Sequence, residues 1–260
     1  MKKQRMPLTC VVIAICVLNY AVCLVLQQKG ISEINAEILA GAYYKPWILC
    51  GEWWRLITAG FVHGGIWHLV MNMLALYSFG RVMEHYYGSL RYGILLFSSV
   101  VSGFLFLMAA GQNTVAVGLS GGLYGLMAAY VIRLTYVHAW KHPGIRRSMI
   151  EMIGLNLLIN FLPQVAWQGH FGGFVCGGLL AMILDPDPLV SKKLRQRFTI
   201  CLAGVVLALG FSVRQHRSID SDEVYLGTDR QLLMILDEHG MSDYSSQMWK
   251  RLLKLYGYSE

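Results

Sequence analysis

The sequence predicts an all-α, polytopic membrane helical bundle, and three observations carry that prediction. Of its 260 residues, 55% are hydrophobic and only 14% are charged, where a soluble domain carries about 25% charged residues. The mean hydropathy is +0.47. The apolar residues are also gathered into blocks close to the ~20 residues a helix needs to cross hydrocarbon.

Seven spans follow in chain order. Residues 9–26 are an uncharged run of 18. Residues 67–86 carry several polar groups but are otherwise apolar. Residues 92–110 give 19 uncharged positions, and residues 120–137 again mix polar with apolar. Residues 149–162 are short, residues 165–184 give 20, and residues 198–213 give 16. Residues 1–213 therefore read as one membrane-embedded domain, and residues 214–260 as a tail. RQLLMILDEHG and SQMWKRLLKLYGY within that tail have the spacing of short amphipathic helices, suited to a small accessory unit or to a helix pair lying on the membrane.

MKKQR before the first run resembles the start of a cleaved signal peptide. The run is long for a signal core and no A-x-A-like site follows it, so a retained helix is expected. Cys10, Cys16, Cys23, Cys50, Cys176 and Cys201 show neither metal-ligand nor disulfide-framework spacing and read as small packing residues. No metal and no other cofactor is indicated.

Orientation follows from charge. With the N-terminus in the cytoplasm, the cytoplasmic segments hold 13 basic residues: Lys2, Lys3, Arg5, Arg81, Arg91, Arg133, Lys141, Arg146, Arg147, Lys192, Lys193, Arg195 and Arg197. The outside loops hold Lys29, Lys45 and Arg55. That asymmetry is the positive-inside pattern, so the net charge of +7 is a topological signal without a nucleic-acid signature. The expected location is a bacterial cell membrane. The outside stretch GEWWRLITAGFVHGG is too apolar for a free loop and is expected to sit in the outer leaflet or on the helices, with Trp53, Trp54 and Trp67 at the interface.

Polar groups at membrane depth are costly and face a protein interior or a water-filled cavity. His68 and Asn72 open the second span on one helix face, Ser120 opens the fourth, and His170 lies a few residues into the sixth. These three spans run in the same direction, so the four residues share one shallow layer. Gly121 and Gly125 on the fourth span, and Gly173 and Gly177 on the sixth, form small-xxx-small faces that let helix backbones approach. Packing those faces brings His170 toward Ser120, and an imidazole is the usual base that activates a serine. No carboxylate occurs in the outer half of any span, so the pair would be a dyad, with Tyr124 stacking on the imidazole. Asn72, His68 and the Ser120 backbone N–H are left as donors toward a developing oxyanion. His63, His85, His138 and His142 read as interfacial or loop residues. Gly118-Leu119-Ser120-Gly121-Gly122 also fits the G-x-S-x-G elbow of soluble hydrolases, but that elbow needs a preceding strand where this chain has an apolar span. The H-E-x-x-H of a metalloprotease is missing.

Trp54-Arg55, His68-x-x-x-Asn72, Gly118-x-Ser120-Gly121 with Tyr124 and Gly125, and His170-x-x-Gly173-x-x-x-Gly177 occur in order over roughly residues 50 to 185. In these motifs the sequence resembles the rhomboid family of intramembrane serine proteases. The resemblance implies a six-helix core with one extra C-terminal helix, Ser120 as nucleophile, and His170 as general base and acid. It implies an oxyanion hole lined by Asn72, His68 and the Ser120 backbone beside Gly118, and a structural loop motif at Trp54 and Arg55. Its implied partners are transmembrane protein substrates, cut near the outer face within the lipid bilayer. Leu119 departs from the pattern, since a smaller residue is common there. A non-proteolytic membrane binding protein or transporter is the alternative.

Overall fold

Pro7 starts the first helix, where its missing N–H costs nothing, and α1 runs over Pro7–Gln28. The computed structural model describes residues 6–111, 114–162, 165–187, 190–217, 219 and 223–258; Lys2, Lys3 and Arg5 lie outside the described residues. The free N–H groups of Leu8 and Thr9 donate to the Glu84 carboxylate, each at 2.9 Å, and the Thr9 hydroxyl adds a third bond at 2.7 Å. A buried carboxylate at a helix N-terminus meets both the unpaired donors and the positive end of the dipole.

A folded loop follows. It contains α2 (Glu33–Leu39), capped by the Ser32 hydroxyl, then β1 (Tyr43–Tyr44), α3 (Lys45–Leu49) and α4 (Arg55–Thr58). The chain then enters α5 (Ile66–Tyr87), turns at Gly88 with φ +75°, and returns as α6 (Ser89–Ala109). A second short strand, β2 (Val115–Ala116), pairs antiparallel with β1, Tyr43 opposite Ala116. Four more helices complete the bundle: α7 (Ser120–Tyr136), α8 (Pro143–Ile159), α9 (Trp167–Ile183) and α10 (Lys192–Gln215).

Among the described residues, the helices α1 and α5 to α10 stand where the seven spans were expected. The largest offsets are at α8 and α10, which begin at Pro143 and Lys192, equally far before the apolar stretches expected over 149–162 and 198–213. Pro143 is a favourable first-turn residue, and helical backbone bonds continue through Arg146 and Arg147 once started. α1, α6 and α10 are each long and apolar enough to cross a membrane, and α4 with its following turn joins α5 across a bend of 96°. α7, α8 and α9 have 17 residues each, about 25 Å at 1.5 Å per residue.

The centre of the bundle is the packing of α7 on α9, flanked by α6. A Cβ placed on Gly173 would stand 1.9 Å from the Gly121 carbonyl oxygen, and one on Gly177 would stand 2.3 Å from the Gly125 Cα. The two glycine faces expected from sequence are therefore in backbone contact. At the end of the bundle that holds the α1 N-terminus, Arg133 bonds Asp187 at 2.9 Å, and Arg195 donates to the carbonyls of Ile183, Val190 and Asp187.

The tail forms α11 (Glu223–Glu238) and α12 (Ser242–Leu255). The two helices stand where the sequence shows amphipathic spacing, and the pair docks on the α1–α5 loop. Asp229 accepts from the Trp47 indole at 2.9 Å and from the Tyr256 hydroxyl at 2.7 Å, and burial raises its carboxyl above the usual range. Arg251 donates to the Cys50 carbonyl, Asn35 to Gln231, and the Tyr244 hydroxyl to Glu52. Ile38, Tyr44 and Trp47 of the loop share an apolar core with Leu232, Met248 and Leu252 of the tail.

Candidate active site

Ser120 is the first residue of α7, held there by the segment before it. Gly118 has φ +113°, a conformation open to glycine, and its N–H donates to the Ala59 carbonyl at 2.9 Å. A Cβ at Gly118 would meet the His68 ring at 2.7 Å. The glycine thus does two things: it turns the chain toward Ser120 and leaves room for His68.

His170, on the first turn of α9, is 8% exposed. Its Nε2 lies 2.9 Å from Ser120 Oγ. Its ring stacks on Tyr124, one turn along α7, at 4.2 Å between centroids and 11° between planes. Its Nδ1 lies 2.6 Å from Asn160 Oδ1. Asn160 Nδ2 donates to the Tyr124 hydroxyl and to the Asn156 carbonyl, each at 3.0 Å, and Tyr124 donates to that same carbonyl at 2.7 Å.

On α5, Asn72 Nδ2 donates to the His68 carbonyl at 2.9 Å, one turn back. The His63 ring meets the His68 ring edge-on at 5.1 Å. Asn72 Oδ1 and His63 Nε2 are buried without a hydrogen-bond partner among the described residues. Buried groups left in this way are the ones a water or a ligand satisfies.

The structure brings Ser120, His170, Tyr124 and the four glycines together, with His68 beside Gly118 and Asn72 one turn along α5 from His68. Trp54 and Arg55 are in the loop. The Arg55 guanidinium is 2% exposed, ion-paired with Glu52, bonded to the Ile38 and Ala42 carbonyls, and flanked by the rings of Trp47 and Trp54 at 4.9 and 4.6 Å. It ties α2, β1, α3 and α4 into one unit whose strand pairs with the segment before Ser120. His63, read as interfacial or loop, lies in the segment before α5 and is buried there (1% exposed). The imidazole, for which no orienting carboxylate was expected, has the Asn160 amide instead, a residue the sequence reading did not single out. The signal for Asn160 was present: Asn156 and Asn160 are polar residues four apart near the end of a span, where such residues are costly.

Glu37 on α2 stands at this end too, its Oε1 3.0 Å from where a Gly64 Cβ would be. Burial, with neighbouring Glu33, raises its carboxyl from 4.5 to about 7. The fold therefore favours the protonated form. That stabilisation is complete below about 4.5 and is lost as the pH rises through about 7, up to about 3 kcal/mol for a shift of this size. Glu37→Gln is expected to flatten this part of the stability profile, read as thermal unfolding in detergent at stepped pH. An unchanged slope in the variant would assign the pH dependence elsewhere.

Comparison with known proteins gives matches over the same region. A family model described as "Rhomboid domain" matches residues 50–186. RHOMBOID-like protein 6, mitochondrial, of Arabidopsis thaliana is 35% identical over 162 residues, covering 61% of this chain and 52% of the relative. Rhomboid-type serine protease 2 of Emericella nidulans is 28% identical over 183 residues, covering 68% and 35%. Rhomboid protease GluP of Bacillus subtilis is 30% identical over 191 residues, covering 70% and 36%. The chain spans about half the length or less of these relatives. They come from a plant, a fungus and a bacterium, so the likeness does not tie the chain to a bacterial membrane.

Proposed function

Since the chain belongs to the rhomboid family, we propose that it is a serine endopeptidase that cuts transmembrane proteins inside or beside the bilayer. The observation that carries this reading is the 2.9 Å approach of His170 Nε2 to Ser120 Oγ in a buried polar site. His170 takes the hydroxyl proton as Oγ attacks the scissile carbonyl, and the C–O bond forms while the carbonyl π electrons move to oxygen. The oxyanion is stabilised by the Ser120 N–H at the positive end of α7 and by donors from His68 and Asn72. His170 then gives its proton to the departing amine, leaving an acyl-enzyme on Ser120. Water, deprotonated by the same imidazole, hydrolyses the ester and restores the hydroxyl.

Residues 1–213 are the catalytic membrane domain in this reading. The charge asymmetry supports a cytoplasmic N-terminus and a site open to the other face. A substrate helix must unwind to present its carbonyl, so helix-weakening residues beside a small residue at the cut are expected. The test is a fluorophosphonate probe on the purified protein: labelling that needs both Ser120 and His170 supports the protease. A folded protein that takes no label is instead a non-proteolytic binding protein or transporter.

A further inference from the structure

The Ser120–His170 pair works in one direction only, with the bare nitrogen of the imidazole facing the hydroxyl. A neutral imidazole carries one N–H, on either nitrogen. What decides between the two is whatever faces the other nitrogen, and here that is Asn160.

The orientation of the Asn160 amide follows from a group that has no ambiguity. α8 ends at Ile159, so its last carbonyls lack the helical N–H partners of an interior turn. One of these, Asn156 C=O, accepts from the Tyr124 hydroxyl at 2.7 Å and from the Asn160 side chain at 3.0 Å. A carbonyl only accepts, so the part of the Asn160 side chain that faces it is the NH2. The same NH2 donates to the Tyr124 oxygen at 3.0 Å; that hydroxyl has given its own hydrogen to Asn156 and has lone pairs left to accept. Asn160 Oδ1 is thereby turned toward His170 Nδ1 at 2.6 Å. Oδ1 can only accept, so Nδ1 carries the proton and Nε2 presents its lone pair to Ser120.

We propose that Asn160 is the positioning residue of the Ser120–His170 pair, holding His170 in its Nδ1–H tautomer through an amide whose own direction is set by the C-terminal carbonyl of α8. This inference rests on the protease reading. It assigns to an uncharged amide at the C-cap of α8 the orienting place that a carboxylate holds in soluble serine proteases. The choice of amide has a physical reason. A carboxylate at this depth would bring a charge into a low-dielectric site, a cost the amide avoids while offering the same acceptor. Tyr124 then acts twice, by stacking on the His170 ring and by fixing the group that orients it.

The test uses full-length protein in detergent with 15N-labelled histidine, the His170 signals being assigned by their loss in His170→Asn. A fluorogenic transmembrane peptide with a small residue beside a helix-weakening one is the reporter. Unaltered protein is expected to show the Nδ1–H tautomer of His170 at neutral pH. Asn160→Leu is expected to lose that tautomer and to lower kcat about tenfold, the worth of one hydrogen bond of about 1.4 kcal/mol, with KM changed less than twofold. Asn160→Asp in its neutral acid form puts an O–H where the amide NH2 faced the Asn156 carbonyl and keeps an acceptor oxygen for His170 Nδ1, so it is expected to keep the tautomer and recover most of kcat. A purely packing role for Asn160 predicts neither the tautomer change nor that rescue. The inference is overturned by an Nε2–H tautomer in the unaltered protein, or by Asn160→Leu that folds and keeps both tautomer and kcat. Should Asn160→Leu not fold, the unaltered protein and Asn160→Asp decide by the same signals. Unaltered protein that neither cleaves nor takes the fluorophosphonate probe overturns the protease reading and Asn160's role with it, whereas active protein with the wrong tautomer overturns Asn160 alone.

Discussion

Ser120→Ala is expected to reduce cleavage of a reporter transmembrane peptide to background, a loss of at least about three orders of magnitude. The reason is local. The hydroxyl is the atom that would bond to substrate, and its hydrogen-bond partner among the described residues is His170 Nε2. Removing one oxygen at a partly buried position takes little from the fold, so thermal unfolding should shift by no more than an ordinary surface change, about 0.5 kcal/mol. His170→Ala should cost about as much in rate, and the double variant little more than either, because in the proposed mechanism the two residues act as one unit. Cleavage by folded Ser120→Ala at the unaltered rate would remove Ser120 from the chemistry.

Gly173→Val is expected to cost at least about 3 kcal/mol of stability, the upper range for overpacking a filled interior. Its Cβ would meet the Gly121 carbonyl oxygen at 1.9 Å. That atom is backbone, so no rotamer change relieves the clash; only separation of α9 from α7 does. The same two helices carry His170 and Ser120, so fluorophosphonate labelling should fall together with the unfolding temperature. Gly204→Val is the control, because a Cβ there meets nothing within 4 Å. Equal stability for Gly173→Val and Gly204→Val in detergent would mean that the glycine contact does not hold the bundle.

Both of these positions were legible in the sequence for the same reason. Glycines four apart and polar residues near the start of apolar spans are local patterns, and helical geometry converts them into faces and depths. Asn160 was less legible because the fifth span is short and its apolar reading absorbed the two asparagines. His63 was read as an interfacial or loop residue, and what its position did not show is that its ring meets that of His68. The docking of the tail had no local signature at all. Trp47 and Asp229 are 182 positions apart, Glu52 and Tyr244 are 192, and Cys50 and Arg251 are 201. Each member of these pairs looks ordinary in its own neighbourhood; a buried Asp229 explains itself only beside Trp47 and Tyr256.

Those long separations bear on the order in which the molecule is completed. Helices α1 and α5 to α10 can pack on one another before the tail is made. The apolar core under Tyr44 and Trp47 cannot close until α11 and α12 have been made and brought to the same end. Contacts of such sequence separation form late, because the entropy of closing the loop is spent before any contact returns it. The loop closed last is the one whose strand pairs with the residues ahead of Ser120. Maturation of the surroundings of the site is thereby linked to the final stretch of translation, and a chain interrupted before α11 would carry Ser120 and His170 beside an unfinished loop.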